Sequence, residues 1–156
     1  LTLGIISCQA YAEDTVIVND HDISAIKDCW QKNSDDDTDI NVIKSCLRQE
    51  YNLVDAQLNK AYGEAYRYIE QVPRTGVKKP DTEQLNLLKK SQRAWLDFRD
   101  KECELILSNE DVQDLSDPYS ESEWLSCMII QTNTRTRQLQ LYRNSEDFYP
   151  SPLTRG

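Results

Sequence analysis

The sequence predicts an all-α protein: an elongated antiparallel three-helix bundle with a short extra N-terminal helix and two disulfides. Three observations carry this expectation. Apolar residues recur at alternating steps of three and four from Ile40 to Val72, the signature of a helix that buries one stripe. Glycine and proline are scarce, 4 and 5 among 156 residues, which argues against a turn-rich β-sandwich and for long helices. Cysteines near the expected helix ends are placed to brace the helices against one another.

The elements follow in chain order. Leu1-Thr2-Leu3-Gly4-Ile5-Ile6 is apolar, Ala10-Tyr11-Ala12 follows, and Glu13-Asp14 opens a polar stretch. This is the pattern of the back half of a secretory signal peptide, so residues 1–12 are expected to be a signal remnant. A minor alternative reads Cys8 as a lipidated cysteine. Residues 13–144 are expected to form one helical domain, and 145–156 an irregular tail. Ile23 to Gln31 is the short helix, carrying Cys29 and Trp30. The first long helix runs from about Ile40 to Val72, roughly 45–50 Å at 1.5 Å per residue. Its stripe is Ile40, Ile43, Leu47, Tyr51, Val54, Leu58, Ala61, Ala65, Ile69 and Val72. Pro73 and Gly76 end it.

A second long helix starts at Asp81, with Gln84 three residues on as in a capping box. It carries Leu85, Leu88, Trp95, Phe98, Cys103 and Ile106 toward the core. An acidic connection over 108–119 follows. Ser120-x-x-Glu123 reads as a second capping box, opening a third helix from about Glu121 to Arg143. Its buried face is expected to include Trp124, Met128, Thr132, Leu139 and Tyr142.

Five cysteines are present. Removal of the first twelve residues leaves four: Cys29, Cys46, Cys103 and Cys127. Four allow three pairings. Sequence neighbours pair most economically, Cys29 with Cys46 and Cys103 with Cys127, each contributing about 3 kcal/mol in the chain-entropy model. Such a framework suits an exported chain. A zinc site is disfavoured because the cysteines lack C-x-x-C spacing and the only histidine, His21, lies apart.

Charge and motif content narrow the function. The formal net charge of −9 disfavours nucleic acid and anionic lipid as partners, and no stretch is apolar enough to span a membrane. Asp35-x-Asp37-x-Asp39 hints at a calcium loop, but Ile40 and Cys46 stand where a glycine and a glutamate are needed. A triad would have to use His21, and no nucleophile elbow is near. Acidic pairs are too numerous among 27 Asp and Glu to mark a glycosidase site. No phosphate-binding glycine loop is present. No enzyme activity, cofactor or metal is expected.

Several pieces form a pattern: Cys46-Leu47; Leu58-Asn59 with Tyr62; Gln92-Arg93-Ala94-Trp95-Leu96-Asp97-Phe98-Arg99-Asp100 with Cys103; and Cys127 with Thr132, Arg135 and Leu139. Together they resemble the LprI-type lysozyme-inhibitor domain over roughly residues 28–142. The Gln92-to-Cys103 block is the specific part. The acidic stretch 109–119 departs from the family, which often has a shorter glycine-containing turn there. The resemblance implies an exported, helical, disulfide-bonded protein. Trp95 and Phe98 are read as core, with Gln92, Arg99, Asp100 and Arg135 as structural polar partners between helices.

These readings lead to the expectation of a periplasmic inhibitor or immunity protein. It would bind and occlude a peptidoglycan-acting enzyme, either lysozyme or a delivered cell-wall toxin. A cationic hydrolase or secreted toxin is the expected partner. Glu110, Asp111, Asp114 and Asp117 are the expected contacts, with Asp35, Asp36 and Asp37 second. The alternative is a non-enzymatic structural or stress protein of the envelope without an enzyme target.

Overall fold

The computed structural model describes residues 20–31, 39–71, 82–108 and 116–142, with the side chains of 20–22 and 106 excepted. These residues form four helices and no strand: α1 (Asp20–Gln31), α2 (Ile40–Gln71), α3 (Thr82–Ser108) and α4 (Pro118–Leu141). Two disulfides join them, Cys29–Cys46 and Cys103–Cys127, with Cα–Cα distances of 5.6 and 5.7 Å. The neighbour pairing expected from the sequence is the one observed.

The 32-residue α2 forms where the three-four spacing places it. Ile43, Leu47, Val54, Leu58, Ala61, Ala65 and Ile69 are buried, all from the expected stripe. Ile40 and Tyr51 are half-buried, and Val72 lies outside the described residues. Asp39 precedes the helix and accepts from the backbone N–H of Asn41 and from its side-chain amide. Those hydrogen bonds favour the carboxylate and hold its pKa below the ordinary value. The helix α1 begins at Asp20 rather than Ile23.

The helix α4 is the one on which the others converge. It packs most extensively on α2, then on α3, and also touches α1. Its buried residues therefore run around most of its circumference: Ser120, Ser122, Leu125, Ser126, Cys127, Met128, Ile129, Thr132, Arg135, Thr136 and Leu139. Several are polar, and for three of them burial is tolerated because the hydroxyl bonds back into the helix. Ser122, Ser126 and Thr136 each donate to the carbonyl four residues earlier, at 2.8–2.9 Å. Ser126 also accepts from the Trp30 indole N–H at 3.3 Å, tying α1 to α4.

The start of α4 corrects the expected capping box. Its N-cap is Asp117, in extended backbone, and Pro118 occupies the first turn. Proline suits that place because its fixed φ is helical and its missing N–H needs no partner. Ser120, expected as the cap, is instead inside the helix and donates its hydroxyl to Asp117 Oδ2 at 2.9 Å. The other expected cap, Asp81, lies outside the described residues.

The core divides into connected clusters. Leu47, Val54, Leu125 and Ile129 pack with Cys29 and Ile43 near α1. Leu58, Ala61, Ala65, Ile69, Leu85, Leu88 and Leu139 pack at the other end. The Cys103–Cys127 cystine with Met128 forms a third, which shares Tyr51 and Trp124 with the first.

Candidate functional site

Two places collect the residues singled out in the sequence. The first is the connection from α3 to α4. The cystine Cys103–Cys127 fixes the two helices that it joins, across a sequence separation of 24. Of the acidic residues expected as contacts, Glu110, Asp111, Asp114, Asp35, Asp36 and Asp37 lie outside the described residues. Asp117 is described, and its carboxylate caps α4. Its Oδ2 accepts from the Ser120 backbone N–H at 3.0 Å and from the Ser120 hydroxyl.

Residues beside Asp117 that sequence reasoning passed over complete this end. Tyr119 is exposed and meets the Trp30 ring edge-on, with centroids 5.8 Å apart. Glu121 draws two cations from α2: it pairs with Arg48, and with Lys44 at 3.6 Å. Glu121 sits in the first turn of α4, where a carboxylate also meets the positive end of the helix dipole. The i, i+4 placement of Lys44 and Arg48 was a legible sign that both share one face, though not of what they face.

The second place is the α3–α4 seam, which gathers Gln92, Trp95, Arg99, Asp100 and Arg135. Arg135 is 8% exposed. Its Nε donates to Gln92 Oε1 at 3.0 Å, one Nη to Ser91 Oγ at 3.2 Å, and the other to Gln138 Oε1 at 3.2 Å. Burial pushes its pKa down, and Tyr142 close by acts the other way. Arg99, also buried, bonds Asp100 Oδ1 through Nε and Nη2 at 2.9 and 2.8 Å. Both guanidinium groups lie by the Trp95 ring, at 5.2 Å for Arg99 and 6.0 Å for Arg135, which is cation–π range. Tyr51 of α2 stands beside Arg99. Burial raises the phenol's pKa, and the arginine pulls against that shift. Arg99 Nη1 and Thr132 Oγ1 are buried without a hydrogen-bond partner among the described residues.

Phe98 corrects the sequence reading. It was expected in the core with Trp95 and is 53% exposed. One residue of difference in register explains it. The buried face of α3 is centred on Arg99 and Cys103, and Phe98 projects away from that face. Trp95, at the edge, is half-buried against the Leu58–Leu139 cluster.

No group of three or more potential metal-ligating side chains occurs among the described residues, and no described helix is long and apolar enough to cross a membrane. Most polar atoms of the seam bond one another, and Asp117 bonds within its cap. Fold and site define a small, cystine-braced, all-helical domain whose polar motif residues join helices.

The chain belongs to the family described as lysozyme inhibitor LprI, whose model matches residues 29–139. It is 99% identical, over all 156 residues and 96% of the relative, to the Escherichia coli (strain K12) protein named "Uncharacterized protein YecT". A further relative, "Uncharacterized protein R02472" of Rhizobium meliloti (strain 1021), is 35% identical over 69 residues, 43% of this chain and 48% of that protein. No solved structure matches the chain significantly. The matched span begins at the first described cysteine and ends at the core residue Leu139, so it takes in both cystines and the whole α3–α4 seam.

Proposed function

We propose that this chain is a periplasmic inhibitor or immunity protein that binds a peptidoglycan-acting enzyme and occludes its active site. The observation that carries the reading is membership of the lysozyme-inhibitor family across 29–139, including both cystines. The target is a lysozyme or a delivered cell-wall toxin, and the protein itself turns over no substrate. Export through the segment 1–12 accords with the two disulfides, which persist in oxidising compartments.

The residue pairs along the seam support an antiparallel three-helix bundle of α2, α3 and α4 with α1 as an extra. Cys103 pairs with Cys127 and Gln92 with Arg135, so positions on α3 fall as those on α4 rise. Glu110, Asp111 and Asp114, which precede α4 in the sequence, are the proposed acidic contacts, with Asp35, Asp36 and Asp37 as a secondary set. Asp117 contributes through its cap. Complementary charge of this kind mainly speeds encounter with a cationic cleft. An excess charge of −9 works in the same direction.

The test is inhibition of peptidoglycan lysis. Purified protein with intact disulfides is added to a panel of cationic lysozymes and cell-wall hydrolases acting on peptidoglycan. The reading expects dose-dependent inhibition of at least one, relieved when Asp111 and Asp114 are both reversed to lysine. Inhibition untouched by that reversal contradicts the loop as the contact surface. Absence of inhibition across the panel, together with failure to retain any hydrolase from periplasm or host fluid, contradicts the function.

A further inference from the structure

The helix α3 contacts α4 and α2, and its opposite face carries an unusual run of apolar side chains. Leu87 is 58% exposed, Phe98 53% and Leu105 57%, and Ala94 between them is exposed too. At about 100° per residue all four fall within about 20° of one line along the helix. The line runs about 27 Å from Leu87 to Leu105 at 1.5 Å per residue. Exposed leucines are ordinary singly; here three bulky apolar side chains and an alanine share one line on the face of α3 away from its buried residues.

The spacing of the stripe identifies its occupant. Leu87 to Ala94 is seven residues, Ala94 to Phe98 four, and Phe98 to Leu105 seven. That series reads the same in both directions. A second α3 laid antiparallel across the first therefore meets it in register at every position: Leu87 opposite Leu105, and Phe98 opposite Ala94. The bulky ring of one copy falls on the small side chain of the other, twice. A two-fold axis requires such self-complementarity, since each contact is made in both senses. A ridge for an unrelated partner needs no palindrome. The flanking charge is compatible with this pairing: Lys101 is neutralised within its own helix by Glu104 at 3.1 Å, so the facing Lys90 meets an ion pair rather than a bare cation.

We propose that the Leu87–Ala94–Phe98–Leu105 face of α3 is a self-association surface on which a second copy of this chain docks as an antiparallel, two-fold-related partner. Its area sets its strength. A strip about 27 Å by 10 Å buries about 270 Å² on each copy, about 540 Å² in all. Stable interfaces bury about 1,200–2,000 Å², so this is a weak, reversible dimer. Each copy carries −9, so the two repel at long range. Added salt screens that repulsion and strengthens the dimer. A hydrolase held by the acidic stretch would instead be weakened by salt, and the two surfaces are thus separable.

Sedimentation equilibrium of the purified, disulfide-intact chain from about 10 µM to 1 mM, at about 50 and 500 mM salt, tests this. The expected result is a weight-average mass that climbs toward twice the monomer with concentration, more steeply at high salt. Phe98→Asp is expected to weaken association at least about tenfold while leaving helix content and melting unchanged, because the ring is largely exposed. Register is read by oxidative crosslinking in a Cys8→Ser background. Mixed Ala94→Cys and Phe98→Cys chains are expected to crosslink to each other several-fold faster than Ala94→Cys chains to themselves. A monomer at every concentration and both salts overturns the proposal. So does association that Phe98→Asp leaves unchanged. Loss of hydrolase binding by Phe98→Asp in a chain that stays monomeric assigns the stripe to the enzyme and overturns it as well.

Discussion

One side of α4 meets α2 through hydrocarbon, with Leu47, Val54 and Leu58 among the residues packed with Leu125, Ile129 and Leu139. Another side meets α3 through a cystine, a buried arginine held by Gln92 and Ser91, and two guanidinium groups about one indole. The first interface draws its strength from apolar area, which is non-directional and tolerates small shifts. The second adds a covalent tie and directional polar contacts to the apolar packing of Leu85, Leu88 and Trp95. Cutting the cystine therefore removes a larger share of what holds α3 than of what holds α2.

The largest expected effect lies in the hydrocarbon interface. Leu125→Ala removes a fully buried side chain and is expected to cost roughly 3–4 kcal/mol of unfolding free energy in urea titration. A single transition shifted to lower urea, with uniform loss of exchange protection, is the expected pattern there. Replacing Cys103 and Cys127 by serine is expected to cost about 3 kcal/mol, from the loop the bond closes. The two-interface picture adds where that loss falls: amides of α3 should lose exchange protection well before those of α2. Equal loss in both helices would merge the two interfaces into one cooperative unit.

The seam is sharpened by a smaller, paired comparison. Gln92→Leu and Arg135→Met break the same hydrogen bond. The first leaves a buried cation short of an acceptor and is expected to cost about 2 kcal/mol. The second removes the cation and keeps its hydrocarbon volume, at about 1 kcal/mol or less. The opposite order would mean that the guanidinium is retained for its contact with Trp95 rather than for its acceptors.

Smallest is a pH effect. The Tyr51 phenol has a raised pKa, chiefly from burial. The unfolded chain then ionises this group first, so the stability it provides is complete below the ordinary phenol value of 10.0 and declines as pH rises above it. Tyr51→Phe is expected to flatten that alkaline decline in a series of thermal melts. A decline of unchanged slope would place its origin in another group.

The same contrast explains what could be read from the sequence. The stripe of α2 follows one apolar face, so periodicity located every buried residue of that helix. In α3 the pattern is partly inverted. Gln92 and Arg99 take inward positions, Gln92 accepting from Arg135 and Arg99 paired with Asp100, while Leu87, Phe98 and Leu105 point outward. A hydropathy reading assigned Phe98 to the core for that reason. In α4, Ser122, Ser126 and Thr136 bury readily because their own helix backbone accepts their hydroxyls, a property that periodicity does not display. Asp117-Pro118 carried a legible start signal for α4, and the rival Ser120-x-x-Glu123 pattern masked it. Of the expected acidic contacts, only Asp117 is described, and the structure assigns it a cap whose partners, Ser120 N–H and Oγ, composition alone does not reveal.

The proposed mode of inhibition rests on one interaction: a cationic cell-wall hydrolase held by the acidic stretch between the two cystine-joined helices. Titration of a hydrolase that the chain inhibits, against wild type and the Asp111→Lys, Asp114→Lys variant across a salt series, tests it most directly. Affinity is expected to fall with salt for wild type. The variant is expected to lose at least about tenfold in affinity and to show a flattened salt dependence. Equal affinity and equal salt dependence for the two proteins would contradict it.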